Sequence, residues 1–267
     1  MKTKAILVVW LVLFSFPVYA SDNSHGIWDE LVAQHVSWNS EGVASSVDYL
    51  AFKQQHSRLN EYLAALSAVT TAEYNSWNKS SQLAFLINAY NAFTVELILT
   101  KYPQIESIKD LGSLFSSPWK KKFFSLLGQQ RSLDEIEHKF IRQPGVFDDP
   151  RIHAAVVCAS IGCPGLRDEA FMADRLDVQL EDNLRRFLAD RSRNRFNPKT
   201  GKLEVSKIFD WYGDDFIGFR EQPSVALFLG TYAELLADDQ EGRLRVAAGD
   251  APLEFLEYDW RLNDVSR

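Results

Sequence analysis

The 267-residue sequence carries 29 lysines and arginines against 36 aspartates and glutamates, a net charge of −7, and is 46% hydrophobic with 13% aromatic residues. That acidic balance excludes general binding to nucleic acid or to an anionic membrane, which needs clustered cations against phosphates. The apolar content is ample for a buried core, and the length allows one large domain or two small ones.

In chain order, the N-terminus comes first. Lys2 and Lys4 precede an almost wholly apolar stretch from Ala5 to Phe16, and Val18-Tyr19-Ala20 offers small residues at the positions a signal peptidase reads. Residues 1–20 are therefore predicted to be a secretory signal, cleaved after Ala20. The apolar core is short for a retained span, which needs about 20 residues. The residue directly after the cleavage site is Ser21, not cysteine, so a lipid anchor of the bacterial lipoprotein type is not expected. No later stretch reads as long and apolar enough to cross a bilayer. The expected mature protein is periplasmic or secreted, without stable membrane insertion.

His25 to Trp38 and Val47 to Leu66 read as two amphipathic helices joined by Asn39-Ser40-Glu41-Gly42, a helical appendage within residues 21–70. Ser80 to Lys101 is apolar all round its axis, the mark of a centrally buried helix, and Pro103 ends it. Asn88 and Asn91 interrupt it on one side. Buried amides must be hydrogen-bonded, so they either clamp neighbouring loops or orient a substrate or a histidine. Phe123 to Arg131 reads as a short hairpin around Gly128. Ser132-Leu133-Asp134-Glu135 is a capping box that starts a helix running to about Arg142, stopped by Pro144-Gly145.

Ile152 to Ala159 is short and nearly all apolar, which predicts a strand covered on both faces. Leu176, Leu180, Leu184, Phe187 and Leu188 predict a helix between Asp168 and Asp190. Beyond it, Arg185, Arg186, Arg191, Arg193 and Arg195 either complement that helix's C-terminus or form an anion site. Asn197 to Gly201 is a turn between two short strands, Pro223 to Ala237 a further helix, and Leu253 to Asn263 an aromatic, extended tail. The expected fold is α+β: a helix-rich single domain over residues 71–265, with a small mixed β-sheet around a central buried helix.

The chemistry concentrates between Asp149 and Leu166, which holds both cysteines and His153. In an exported chain, two cysteines five residues apart form either an intrachain disulfide or a site with a reactive thiol. Cys163 lies just before Pro164 near the start of a helical pattern, where partial positive charge lowers a thiol's pKa from about 8.5. Cys158 ends the expected strand and is held more rigidly.

A nucleophilic cysteine needs a base. All five histidines precede both cysteines, so a nucleophile-first order is excluded. On a strand, His153 and Cys158 would face opposite ways, which leaves His153 with Cys163 across the turn Ser160-Ile161-Gly162. His138 is the other candidate base, sharing a helical stripe with Asp134 and Arg142. Asp215, Asp259 or Asn88 could orient that histidine, and Arg142 or Arg167 could hold an acidic substrate group. His138, His153, Cys158 and Cys163 are zinc-ligand types, but their spacing matches no compact metal signature, so no metal is expected. Phosphate-loop, dinucleotide and serine-elbow motifs are absent, and no cofactor is expected.

Three readings follow. The first is a thiol-dependent hydrolase or transferase acting on a peptide-like or ester substrate. The second is a non-catalytic envelope binding or scaffold domain with a Cys158–Cys163 disulfide. The third is a thiol–disulfide partner, against which the spacing speaks, since redox pairs usually have two residues between the cysteines. The expected partner is a small-molecule or peptide ligand, not nucleic acid.

Several longer motifs resemble a known family. They are Asn88-Ala89-Tyr90-Asn91, Ser132 to His138, the Asp149-to-Leu166 segment with its Cys-x-Ser-x-x-Cys-Pro core, Phe187-Leu188, Ser206 to Tyr212 with Asp215-Phe216, and Tyr258-Asp259-Trp260 with Leu262-Asn263. From about residue 75 to 263 the chain resembles the family termed domain of unknown function 547. The resemblance implies one domain, with the cysteine segment part of the family pattern, and implies no activity or catalytic residue. Gly165 stands where a second proline is expected.

Overall fold

The computed structural model describes residues 25–113 and 116–266; the expected signal over residues 1–20 lies outside them. Helix α1 (Gly26–His35) runs into strand β1 (Val36–Trp38), which pairs antiparallel with β2 (Ser45–Val47). The β1 residues, and Val47 of β2, were expected to be helical. The β-branched Val36 adopts extended geometry at the end of α1, and the next helix starts only where Asp48 accepts the Ala51 N–H at 2.8 Å. That helix, α2 (Tyr49–Gln54), is followed by α3 (His56–Ala68) and α4 (Thr71–Ser76).

The next helix, α5 (Lys79–Leu99), is buried from Gln82 through Val95 without a break. By length and composition it is long enough and apolar enough to cross a membrane, contrary to the sequence expectation, yet its apolar circumference is almost wholly buried in protein. Trp28, Leu31, Val32, Phe52 and Leu59 share one hydrophobic core with α5 residues such as Leu86, Ile87 and Phe93. The segment expected as an appendage is therefore part of the core. A helix with no polar face needs apolar partners on every side, and α1 to α3 cover one of them.

Strands β3 (Phe124–Leu126) and β4 (Gln129–Arg131) form the expected hairpin, with Leu127 and Gly128 both at positive φ in a two-residue turn. Helix α6 (Leu133–Glu135) begins in the expected capping box, with the Ser132 hydroxyl and Glu135 carboxylate each accepting the other's backbone N–H. It continues as a π-helical turn over Ile136–Ile141, closed by the Arg142 N–H on the Glu137 carbonyl at 2.8 Å.

The predicted strand over Ile152–Ala159 is not formed. Pro150–Ala154 is a 3₁₀ helix with proline at its start and Asp149 accepting the Arg151 N–H at 3.0 Å, and an irregular segment follows. The apolar run is covered on all sides, but its backbone partner is a side chain instead of a strand. Asn91 donates to the Ala155 carbonyl and accepts from the Val157 N–H, each at 2.9 Å. Periodicity alone does not separate these two cases.

Helix α7 (Leu176–Ala189) follows, then β5 (Arg195–Asn197), β6 (Lys202–Val205), α8 (Ile208–Trp211) and α9 (Gly213–Phe216). Two short helices, α10 (Val225–Gly230) and α11 (Ala233–Leu236), stand in place of the single helix expected there. Helix α12 (Gln240–Ala247) and β7 (Leu253–Phe255) complete the elements. Strand β6 pairs antiparallel with β5 and parallel with β7, forming a small mixed sheet. Its Leu203 and Val205 join a second hydrophobic cluster with Phe187, Phe209, Phe216 and Phe228. The fold is α+β, helix-rich, with small sheets. Each arginine of the 185–195 cluster is ion-paired, to Glu234, Asp182, Asp238, Asp190 and Glu204 in turn.

After β7 the tail returns across the molecule. The Ile161 N–H bonds the Arg261 carbonyl and the Gly162 N–H the Asp259 carbonyl, both at 2.8 Å, while the Val47 N–H bonds the Asn263 carbonyl at 2.8 Å. The tail thus joins the cysteine segment to β2.

Candidate functional site

A cleft of about 330 Å³ opens where the π-helical turn, the cysteine segment, α8 and the tail meet, a volume typical of small-molecule sites. The π turn contributes Glu137 and His138, α5 contributes Tyr90, and the cysteine segment contributes His153, Cys158 and Cys163. Trp211, Tyr212, Tyr258, Trp260 and Trp119 form aromatic walls.

An ionic network stands behind this lining. Asp215 accepts from Arg142 through two guanidinium nitrogens, at 2.6 and 3.0 Å, and from His153 Nε2 at 2.7 Å. Since a carboxylate here only accepts, Nε2 of His153 carries the proton. The His153 ring stacks on Tyr212 at 4.1 Å, and Arg142 lies over the same tyrosine at 4.7 Å. Burial pushes the His153 imidazole below its ordinary pKa, despite the opposing pull of Asp215. Asp215 is held well below the carboxylate range because its bonds to His153 and Arg142 outweigh its partial burial. Arg142 also donates to His138 Nδ1 at 2.7 Å. An arginine can only donate, so in the neutral ring the His138 proton sits on Nε2, facing Asp134 at 4.0 Å. Glu137 is buried and accepts from the Tyr90 hydroxyl at 3.2 Å.

Cys158 and Cys163 are joined as a disulfide, with their Cα atoms 6.2 Å apart. The Tyr258 hydroxyl lies 3.1 Å from Cys158 Sγ and 3.0 Å from Cys163 Sγ, and the Cys158 N–H points at Cys163 Sγ at 3.0 Å. Arg193 holds the Cys163 carbonyl. Among the described residues, no histidine hydrogen-bonds either sulfur. Cys163 does not begin a helix as expected, because the chain stays irregular until Leu176. Cys158 and His153 do line one cleft, contrary to the alternation argument, since no strand forms there.

Two glycines fix these approaches. A Cβ on Gly162 would lie 2.9 Å from Tyr258 Cε1, and one on Gly165 would lie 2.6 Å from the Trp38 ring. Trp38 occupies the space that the expected proline would fill.

Residues 74–188 match the model of the family described as protein of unknown function, DUF547. The chain resembles that family. The DUF547 match spans Asn88, Asn91, His138, His153 and both cysteines, and ends before Tyr212, Asp215, Tyr258 and Trp260. No curated protein and no solved structure matches the chain.

The remaining candidates fall outside the cleft lining. Asn88 bonds the Phe171 carbonyl and N–H at 2.8 and 3.0 Å, a clamp like that of Asn91. Arg167 is buried against Asp182, Asn183 and Glu169, so its charge is committed to structure. Asp259 pairs with Arg261 near the surface and reaches the site only through its backbone. No metal-holding group of His, Cys, Asp and Glu occurs among the described residues. Glu137 was missed although a signal existed: a carboxylate on the apolar stripe of Leu133, Ile136 and Ile141 has no solvent to face. Tyr258 and the tryptophans gave no such signal, because aromatic residues in a tail read first as packing.

Proposed function

We propose that the cleft binds the cationic group of a small molecule or peptide. The observation that carries this reading is its charged lining: the carboxylates of Asp134 and Glu137 with two imidazoles, and no lysine or arginine among the described lining residues. The indole rings of Trp119 and Trp211 add attraction for a cation. Lys109 already sits 3.6 Å over the Trp260 ring, a cation–π contact of the same kind. The test is a tryptophan-fluorescence titration with short lysine- and arginine-containing peptides against their acetyl-lysine and citrulline counterparts. The charged peptides should bind about tenfold or more tightly, a difference that shrinks in Asp134→Asn. Equal affinity for charged and neutral peptides would sink the reading. The proposal keeps the protein in the periplasm or outside the cell, supported by the leader-like N-terminus and by the persistence of disulfides in oxidising compartments.

A second reading, the thiol-dependent hydrolase or transferase on a peptide-like or ester substrate, is favoured by one observation: His138, His153 and both sulfurs share the cleft. It requires reduction, because no thiolate exists while the sulfurs are bonded to each other. Reduced protein should then release p-nitrophenol from an activated ester with a burst that iodoacetamide abolishes. Hydrolysis indifferent to alkylation would refute it.

A further inference from the structure

The two sulfurs have unequal surroundings. Cys163 is buried, at 5% exposure, whereas Cys158 is only partly covered. Both face the open cleft, so a thiol reaching in meets Cys158 first. Behind the bond, Cys163 Sγ alone receives a backbone N–H, that of Cys158 at 3.0 Å; the Tyr258 hydroxyl lies 3.0 Å from Cys163 Sγ and 3.1 Å from Cys158 Sγ, and the Ser160 hydroxyl lies 3.6 Å and 3.0 Å from them. A disulfide sulfur is a weak acceptor and gains little from three donors. A thiolate gains much more, since charge-assisted hydrogen bonds are about twice as strong as neutral ones. The backbone N–H is committed to Cys163, and the phenol, within reach of both sulfurs, can turn to that one when the bond opens and charge appears there.

We propose that the Cys158–Cys163 disulfide exchanges with peptide and protein thiols in the cleft, with Cys158 the sulfur attacked and Cys163 the sulfur released. An incoming thiolate forms a bond to Cys158 Sγ. The Sγ–Sγ bond breaks, and its electron pair leaves on Cys163 as a thiolate held by the Cys158 amide and the Tyr258 hydroxyl. With a monothiol, the product is a mixed disulfide on Cys158. With a dithiol, the second thiol, as its thiolate, attacks the partner's own sulfur and releases Cys158, which takes up a proton. The partner is then oxidised to a disulfide by two electrons and this protein is reduced to a dithiol. A stabilised leaving thiolate speeds the step and favours the reduced form, which is how oxidising disulfides are built. Burial keeps the Tyr258 phenol above its ordinary pKa, so it retains the proton it donates. Gly162 has no side chain where a Cβ would press on the Tyr258 ring. The proposal is independent of what else the cleft binds.

The experiment incubates the purified protein with millimolar glutathione at neutral pH without denaturant, then alkylates free thiols and maps them by mass spectrometry. The expected result is opening of the bond in the folded protein, with the first glutathione adduct on Cys158 and Cys163 free to be alkylated; a second glutathione then attacks the adduct's own glutathione sulfur, releasing Cys158 as a thiol and oxidised glutathione. Tyr258→Phe should slow reduction of the folded protein about tenfold, the loss of one hydrogen bond to a charged group, while the rate in denaturant stays unchanged. If Tyr258→Phe fails to fold, Ser160→Ala should slow the same step to a smaller extent. A bond that opens only after denaturation, or a first adduct on Cys163, would overturn the proposal.

Discussion

Asp215→Ala should lower the unfolding free energy by about 3 kcal/mol, because it strands two partners at once. Removing one member of a buried, hydrogen-bonded ion pair costs about 3–5 kcal/mol, and the partial exposure of Asp215 and Arg142 places this case at the low end. His153 is the other partner and is buried. The same network sets the response to acid. Burial depresses the His153 pKa in the folded state, so the unfolded chain binds its proton more readily. That contribution is complete above the ordinary value of 6.5 and is lost as pH falls below it. Asp215 is also depressed, so its contribution is complete above the ordinary 3.8 and is lost as pH falls further, through the folded value. Stability should therefore decline in two stages on acidification. Asp215→Asn should reduce the lower stage, to which the similarly depressed Asp177, Asp182 and Asp259 also contribute, and His153→Gln should flatten the upper one. Urea denaturation between about pH 2 and 8 reads the upper stage in full and the onset of the lower one. A wild-type profile without slope between pH 4.5 and 6.5 would refute the account of His153.

Asn91→Ala is expected to cost a similar amount, about 3 kcal/mol, through a different mechanism. Its amide is the partner of the Ala155 carbonyl and the Val157 N–H, and a buried backbone group left unpaired costs about 1–3 kcal/mol. Water cannot replace the amide easily, since Asn91 is buried beside Ala155 and Val157. The change should lower the urea midpoint without altering its slope. It should also speed hydrogen exchange at the Val157 amide more than at amides in the second hydrophobic cluster. Uniform protection across both regions would show that the clamp is not local. Substitution with aspartate tests donor and acceptor separately, because an ionised carboxylate still accepts from Val157 but cannot donate to Ala155.

The contrast between these two residues shows what could be read from the sequence. Asn91 was visible because an amide interrupts a run of apolar residues in α5, and its role as a loop clamp follows from burial. The α5 boundaries, the β3–β4 hairpin and the capping box at Ser132 were also legible, each from a local rule: apolar residues around the whole axis, a positive-φ turn, a reciprocal cap. The cysteine segment was not. Its apolar run had two explanations, strand pairing or burial under side-chain clamps, and only the spatial position of Asn91 separates them. Asp215 was named as one of several candidate orienting residues, but its joint hold on His153 and Arg142 depends on contacts across more than 60 positions. Tyr258 lies 100 positions from Cys158, and no local pattern points from one to the other.

The tail's return has a consequence for assembly during synthesis. Cys158 and Cys163 are near neighbours along the polypeptide, so the sulfurs can meet as soon as the turn between them closes, a loop of very low entropic cost. Tyr258 and Trp260 are made about a hundred residues later, and the hydrogen bonds of Asp259, Arg261 and Asn263 can form only then. Oxidation thus belongs to an early, local stage and the phenol to a late, long-range one. A chain stopped short of residue 256 would keep Trp119, Trp211 and Tyr212 but would lack Trp260 and the tyrosine donor beside its sulfur pair.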